Sequence, residues 1–122
     1  MTLWALVALL GGLGAVTRFL IDRLIGATWG RSFPFGTVAI NIFGSGVAGV
    51  VLGVTAYEST SPTFTLLMLT GFLGGFTTAS TLSYEVVELL EERRYMRASF
   101  ATFGTLILSV GAAALGVALG SM

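Results

Sequence analysis

Hydrophobic positions along this chain fall into four long runs, about Leu3–Ile25, Phe35–Tyr57, Phe64–Leu89 and Phe100–Leu119, joined by short polar links. Each run is close to the roughly 20 apolar residues that a helix needs to cross a hydrocarbon core. The pattern predicts an all-α membrane protein of four transmembrane helices, multi-pass in the cell membrane. Pro34 suits the first turn of the second helix, where its missing N–H would have no partner anyway. The turn expected between Glu58 and Pro62 is short, and the four spans leave almost nothing over for a soluble domain, so residues 1–122 read as a single four-helix transmembrane unit. The first run lacks the basic segment of a cleavable signal and reads as the first span.

The third run departs from a uniform greasy helix. Its stretch Gly71-Phe-Leu-Gly-Gly-Phe-Thr-Thr-Ala-Ser-Thr-Leu-Ser83 places three glycines and five hydroxyl residues inside an apolar segment. This predicts a broken transmembrane helix, because irregular backbone is tolerated in a membrane only where it is buried in protein or lines a cavity. Carbonyls freed by such a break are suited to holding a cation.

Composition narrows the chemistry. The chain is 55% hydrophobic and 10% charged, with a mean hydropathy of +0.94. Cysteine and histidine are absent, which removes disulfides, thiolate or imidazole metal sites and the usual general base. Hydroxyls, amides and carbonyls remain. The formal net charge of zero gives no reason to expect nucleic acid or an acidic partner.

Polar residues in the other helices each admit two readings. Gly11, Gly12 and Gly14 let another backbone approach. Arg18 has Asp22 one turn further on, an i,i+4 pair of opposite sign. The arginine either snorkels to the interface or forms a fixed positive charge in a vestibule that draws anions to a pore. Asn41, Ser45, Gly49 and Gly53 follow at four-residue steps and share one helix face. The Asn41 amide is either interhelical glue or a double donor replacing water around an anion. Thr105 and Ser109 are one turn apart on the fourth helix, with Thr102 before them. They pack helices or form a polar track along a pore. No carboxylate lies deep in a span, which counts against a small proton-coupled exporter. Neither a nucleophile with its base nor a metal-ligand set can be assembled, so an enzyme is not expected.

On three motifs the chain resembles the Fluc/CrcB fluoride channels along essentially its whole length. They are Gly11-Gly-Leu-Gly-Ala-Val-Thr-Arg18, Pro34-Phe-Gly-Thr-Val-Ala-Ile-Asn41 continuing through Ile-Phe-Gly-Ser45, and Gly71-Phe-Leu-Gly-Gly-Phe-Thr-Thr78 with Ser80-Thr81. The resemblance implies a fluoride-selective channel of two antiparallel subunits with a structural sodium ion, not transported, at the dimer centre. It places that ion on the backbone carbonyls of Gly74 and Thr77. It makes Asn41, Ser80, Thr81, Thr105 and Ser109 pore-lining, and it implies fluoride, membrane lipid and a second subunit as partners. The family box Thr-Thr-Phe-Ser-Thr-Phe-Ser reads here Thr77-Thr-Ala79-Ser-Thr-Leu82-Ser83, so both ring positions have changed.

The arginines add a second departure. Arg23 and Arg31, and Arg93, Arg94 and Arg97, fall on one side of a four-span chain, and the opposite side has no lysine or arginine. By the positive-inside rule that side is cytoplasmic. A subunit that inserts both ways should have little such bias. The chain is therefore expected to be one half of a pair with a homologue of opposite bias that supplies the rings, the alternative being a dual-topology homodimer.

Overall fold

The structure, a computed structural model, describes residues 2–57 and 61–122. The turn expected between Glu58 and Pro62 lies outside the described residues. Four helical spans capable of crossing a membrane are present, Thr2–Trp29, Phe35–Tyr57, Pro62–Glu91 and Tyr95–Gly120. Among the described residues there is no strand. The first two spans are the continuous helices α1 (Thr2–Trp29) and α2 (Phe35–Tyr57). The third is composite: α3 (Pro62–Leu66), a π-helical segment (Leu67–Leu73), α4 (Gly74–Phe76), an interruption over residues 77–79, and α5 (Ser80–Glu91). The fourth consists of α6 (Tyr95–Ser99), a π-helical turn (Phe100–Gly104) and α7 (Thr105–Gly120).

Helix ends extend past the apolar runs. α1 continues to Trp29 rather than Ile25, and the fourth span begins at Tyr95 rather than Phe100. Hydropathy marks the hydrocarbon edge, whereas a helix continues through the headgroup layer, where polar side chains are solvated. Gly30, at φ 85°, stops α1, and its N–H bonds Gly26 O at 2.9 Å, a left-handed glycine cap. Arg93 takes the same role after α5 at φ 60°, with Arg94 N–H reaching Leu89 O at 2.8 Å. Ser61 caps α3 by accepting from the Phe64 N–H at 3.1 Å.

Glycine sets the packing. A Cβ on Gly49 would overlap Ala113 O, one on Gly53 would overlap Val117 O, and one on Gly116 would overlap Gly46 O. α2 and α7 are therefore in backbone contact, the close approach that small residues permit inside a bilayer. α1 meets the third span in the same way, Gly14 against Phe72 O and Gly75 against Gly11 O. Gly12, grouped with Gly11 and Gly14 in the sequence, faces open space. Ile40, Leu73 and Phe76 form one buried cluster and Leu89, Ala98 and Ala101 another. Large apolar side chains such as Leu9, Leu13, Phe19 and Ile107 remain exposed, as expected of surfaces that meet lipid or another subunit.

The expected Arg18–Asp22 pair gives way to longer-range partners. Asp22 pairs with Arg31 at 3.2 Å, and Arg18 turns to the third span. The i,i+4 spacing brought the two residues to one face, but a backbone carbonyl and a loop guanidinium compete successfully for them. Arg97 Nη1 donates to Ser32 O at 3.3 Å, tying the two arginine-bearing links to one end of the bundle.

The contrast between glycines is testable. Gly49→Ala forces a methyl group into the Ala113 carbonyl and is expected to cost about 1–3 kcal/mol, whereas Gly12→Ala is expected to be neutral. Thermal melting of the detergent-solubilised chain measures both; equal melting temperatures for the two variants would contradict the α2–α7 backbone contact.

Candidate ion site at the interrupted helix

The interruption is a redistribution of hydrogen bonds. Thr77 leaves the helix at φ −84°, ψ 156°. In a continuous helix the Thr78 N–H would bond Gly74 O; here it bonds Asn41 Oδ1 at 2.8 Å. The Thr81 N–H, due to Thr77 O, goes instead to Thr78 Oγ1 at 3.2 Å. Two side chains thus divert the donors, and the carbonyls released are those of Gly74 and Thr77. Gly75 O is covered by Arg18, whose Nε donates at 3.3 Å.

Asn41 binds both backbone groups of Thr78, since its Nδ2 also donates to Thr78 O at 2.7 Å. The pairing fixes the amide orientation, because the oxygen must face the N–H and the nitrogen the carbonyl. One amide hydrogen is used in this way. The second is not used in this pairing, and Asn41 lines two cavities. The two readings of Asn41 are therefore compatible: it fastens α2 to the third span and keeps a donor in reserve.

One cavity, about 250 Å³, is lined by Gly74 and Thr77 together with Asn41, Gly44, Ser45 and Leu73. Among the described residues no group of three or more His, Cys, Asp or Glu could hold a metal. A cation here would rest on neutral oxygens, a donor set that suits a hard ion. The Thr77 hydroxyl is committed elsewhere, to Leu73 O at 2.9 Å, so the residue offers its carbonyl rather than its side chain.

The other cavity is a groove of about 370 Å³ between the interruption and the fourth span, lined by Asn41, Thr77, Thr78, Ala79, Leu82, Thr102, Thr105, Leu106 and Ser109. Thr105 Oγ1 and Ser109 Oγ are buried and have no hydrogen-bond partner. Hydroxyls in membrane helices ordinarily bond back to the i−4 carbonyl, as Thr17 and Thr55 do here. A buried hydroxyl left unpaired costs about 1–3 kcal/mol, so two on consecutive turns of one groove point to a partner the chain does not itself provide.

The structure brings Asn41, Thr105 and Ser109 together and sets Ser80 and Thr81 apart from that lining. Ser80 Oγ lies 3.3 Å from Thr78 Oγ1, and Thr78 Oγ1 donates to Thr81 Oγ1 at 3.2 Å, so both hydroxyls gather around the Thr78 side chain at the start of α5. Ala79 and Leu82, the altered ring positions, line the groove. The neighbouring phenylalanines do not take their place: Phe76 is buried in the core, with Phe72 stacked at 5.9 Å and Phe43 edge-on at 6.3 Å. Sequence reasoning missed the double role of Thr78 as cap and clamp partner, and the bond from Thr37 Oγ1 to Glu85 Oε1. A threonine three residues before Thr81 was the available signal for the first, since that spacing is the one a side-chain cap uses.

Replacing Asn41 by Ala leaves both polar groups of the Thr78 peptide unpaired. The expected result is faster amide exchange over residues 77–81, by about tenfold or more given the cost of an unpaired buried group, with the α2–α7 contact retained. Exchange unchanged at Thr78 would refute the clamp.

Comparison with known proteins agrees along the chain. Residues 5–117 match the family described as CrcB-like protein, Camphor Resistance (CrcB). The Fluoride-specific ion channel FluC 1 of Leifsonia xyli subsp. xyli is 43% identical over 116 residues, covering 95% of this chain and 85% of that protein. The Fluoride-specific ion channel FluC 2 of Mycobacterium tuberculosis (strain ATCC 25618 / H37Rv) is 37% identical over 114 residues, 93% of this chain and 87% of its own. The Fluoride-specific ion channel FluC of Syntrophotalea carbinolica is likewise 37% identical over 114 residues, with 93% of each chain covered. Four membrane-capable helices, an interrupted third span and this match over nearly all of its length lead to one assignment: the chain is a multi-pass membrane protein of the FluC/CrcB ion channel family.

Proposed function

We propose that this chain is a subunit of a fluoride-specific channel that passively exports fluoride and lowers its cytoplasmic concentration. The observation that carries the reading is the pair of unpartnered hydroxyls, Thr105 and Ser109, in one groove with the Asn41 amide. Fluoride holds its water tightly, so a pore must offer substitute hydrogen-bond donors without retaining the ion. Neutral hydroxyl and amide hydrogens do this, whereas a fixed charge at the same position would bind the ion too firmly. A negative interior drives an anion outward by about 2.3 kcal/mol per 100 mV, so no coupled fuel is needed.

The assembly proposed is an antiparallel dimer. A two-fold axis beside the interruption would present the Gly74 and Thr77 carbonyls twice, giving four oxygens for a structural sodium ion, which holds the two breaks together by charge. Arg18 then serves the break through Gly75 O, in addition to any attraction it exerts on anions at the vestibule.

A second reading is favoured by Ala79 and Leu82. Both line the groove, and neither can offer the positive edge of an aromatic ring. With the arginines gathered at one end, the chain also fits the role of one half of a heteromeric channel whose partner supplies the rings.

Fluoride efflux from liposomes containing the purified chain tests these readings. Conduction by the chain alone is expected to fall about tenfold in Thr105→Val/Ser109→Ala, the loss of two donors of ordinary strength; undiminished flux in that variant would remove the groove from the pathway. Replacing sodium by a large organic cation is expected to abolish flux, and Thr77→Val, which keeps the carbonyl, to preserve most of it. Silence of the chain alone, with conduction restored by a co-reconstituted homologue, would select the heteromeric reading.

A further inference from the structure

At the arginine-rich end, Arg93, Arg94 and Arg97 line a cup of about 430 Å³. Arg97 also stands at the rim of a trough of about 510 Å³ that runs along Phe100, Gly104 and Leu108. A further hollow of about 350 Å³ shares those same three residues. Arg97 lines both the cup and the trough, and Met96 both the cup and the hollow, so the lining changes from basic to apolar along the fourth span. We propose that these spaces act as one groove, a binding site for one anionic phospholipid, with the phosphate on Arg97 and the arginines of the α5–α6 turn, and one acyl chain lying along the trough. The proposal does not depend on which ion the protein conducts.

Four features fit that occupant. The order of chemistry matches an amphiphile, and a basic pocket beside a span is the kind of site that selects anionic headgroups. From Arg97 to Leu108 a helix rises about 16 Å, close to the depth of one leaflet of a core about 30 Å thick. The bond from Arg97 Nη1 to Ser32 O holds the guanidinium at the rim and leaves its other N–H groups for a phosphate. The floor is open at Gly104, where an added Cβ would meet nothing within 4 Å. That glycine ends the π-helical turn, so the site is built where the helix widens.

Lipid retained by the full chain reads the site directly. The chain is purified from vesicles of equal phosphatidylglycerol and phosphatidylcholine, and the bound lipid is counted by mass spectrometry. Phosphatidylglycerol should be enriched about fivefold or more, the effect of about one basic residue at an anionic surface. Arg97→Gln should abolish the enrichment, and Gly104→Leu, which fills the open floor, should lower retention of both lipids. Arg23→Gln, at the same end but outside the groove, should keep the enrichment. Equal retention of the two lipids overturns the proposal, as does loss of enrichment in Arg23→Gln, which would mean a general surface potential. A shift of the dimer fraction in Gly104→Leu with unchanged lipid would assign the trough to a second copy instead. Helical circular dichroism and a single size-exclusion peak confirm that each variant folds.

Discussion

The two hydrogen bonds between the Asn41 side chain and the Thr78 peptide are what allow a transmembrane helix to stop and restart inside hydrocarbon. Each unpaired peptide group there costs several kcal/mol, and the interruption exposes several at once. Asn41 satisfies a donor and an acceptor together, Thr78 Oγ1 takes the next donor, and Arg18 takes the Gly75 carbonyl. The carbonyls that these side chains leave over include those of Gly74 and Thr77. Pairing some groups therefore defines which others are offered to a ligand.

That arrangement depends on rigid surroundings. α1 is pressed against the third span through Gly14 and Gly75, and α2 against α7 through Gly49, Gly53 and Gly116. The first contact brings Arg18 to the break; the second holds Thr105 and Ser109 across a groove from Asn41. Backbone contact leaves little freedom for helices to slide, so the spacing of the polar groups around the two cavities is set by glycine rather than by adjustable side chains.

Much of this was legible in the sequence. Four apolar runs gave four spans, and the glycine and hydroxyl cluster from Gly71 to Ser83 gave the interruption. The one-turn spacing of Thr105 and Ser109 put both on one side of the fourth span, where they line a groove together with Asn41. The rest depends on three-dimensional neighbours that spacing does not determine. Arg18 and Asp22 have the separation of a helical ion pair, yet each finds a better partner elsewhere. Gly11, Gly12 and Gly14 look alike in sequence, but only the structure separates the one that faces open space. That Thr105 and Ser109 lack partners is not readable from spacing, and the π-helical segments left no trace, because a span that is apolar on every side has no periodicity to disturb.

The π-helical turn at Phe100–Gly104 has a consequence for how this span tolerates length change. Such a turn holds one more residue than an α-helical turn, and each residue of an α-helix advances the side chains by about 100°. Ala98 and Ala101, packed near Leu89, lie before or within it, and Thr105 and Ser109 lie after it. The turn thus acts as a phase shifter between two contacts with different demands. Loss of a single residue there would leave a helix just as apolar and just as able to span the bilayer, yet rotate its hydroxyls away from the groove. In this segment the membrane constrains composition, while the groove constrains residue count.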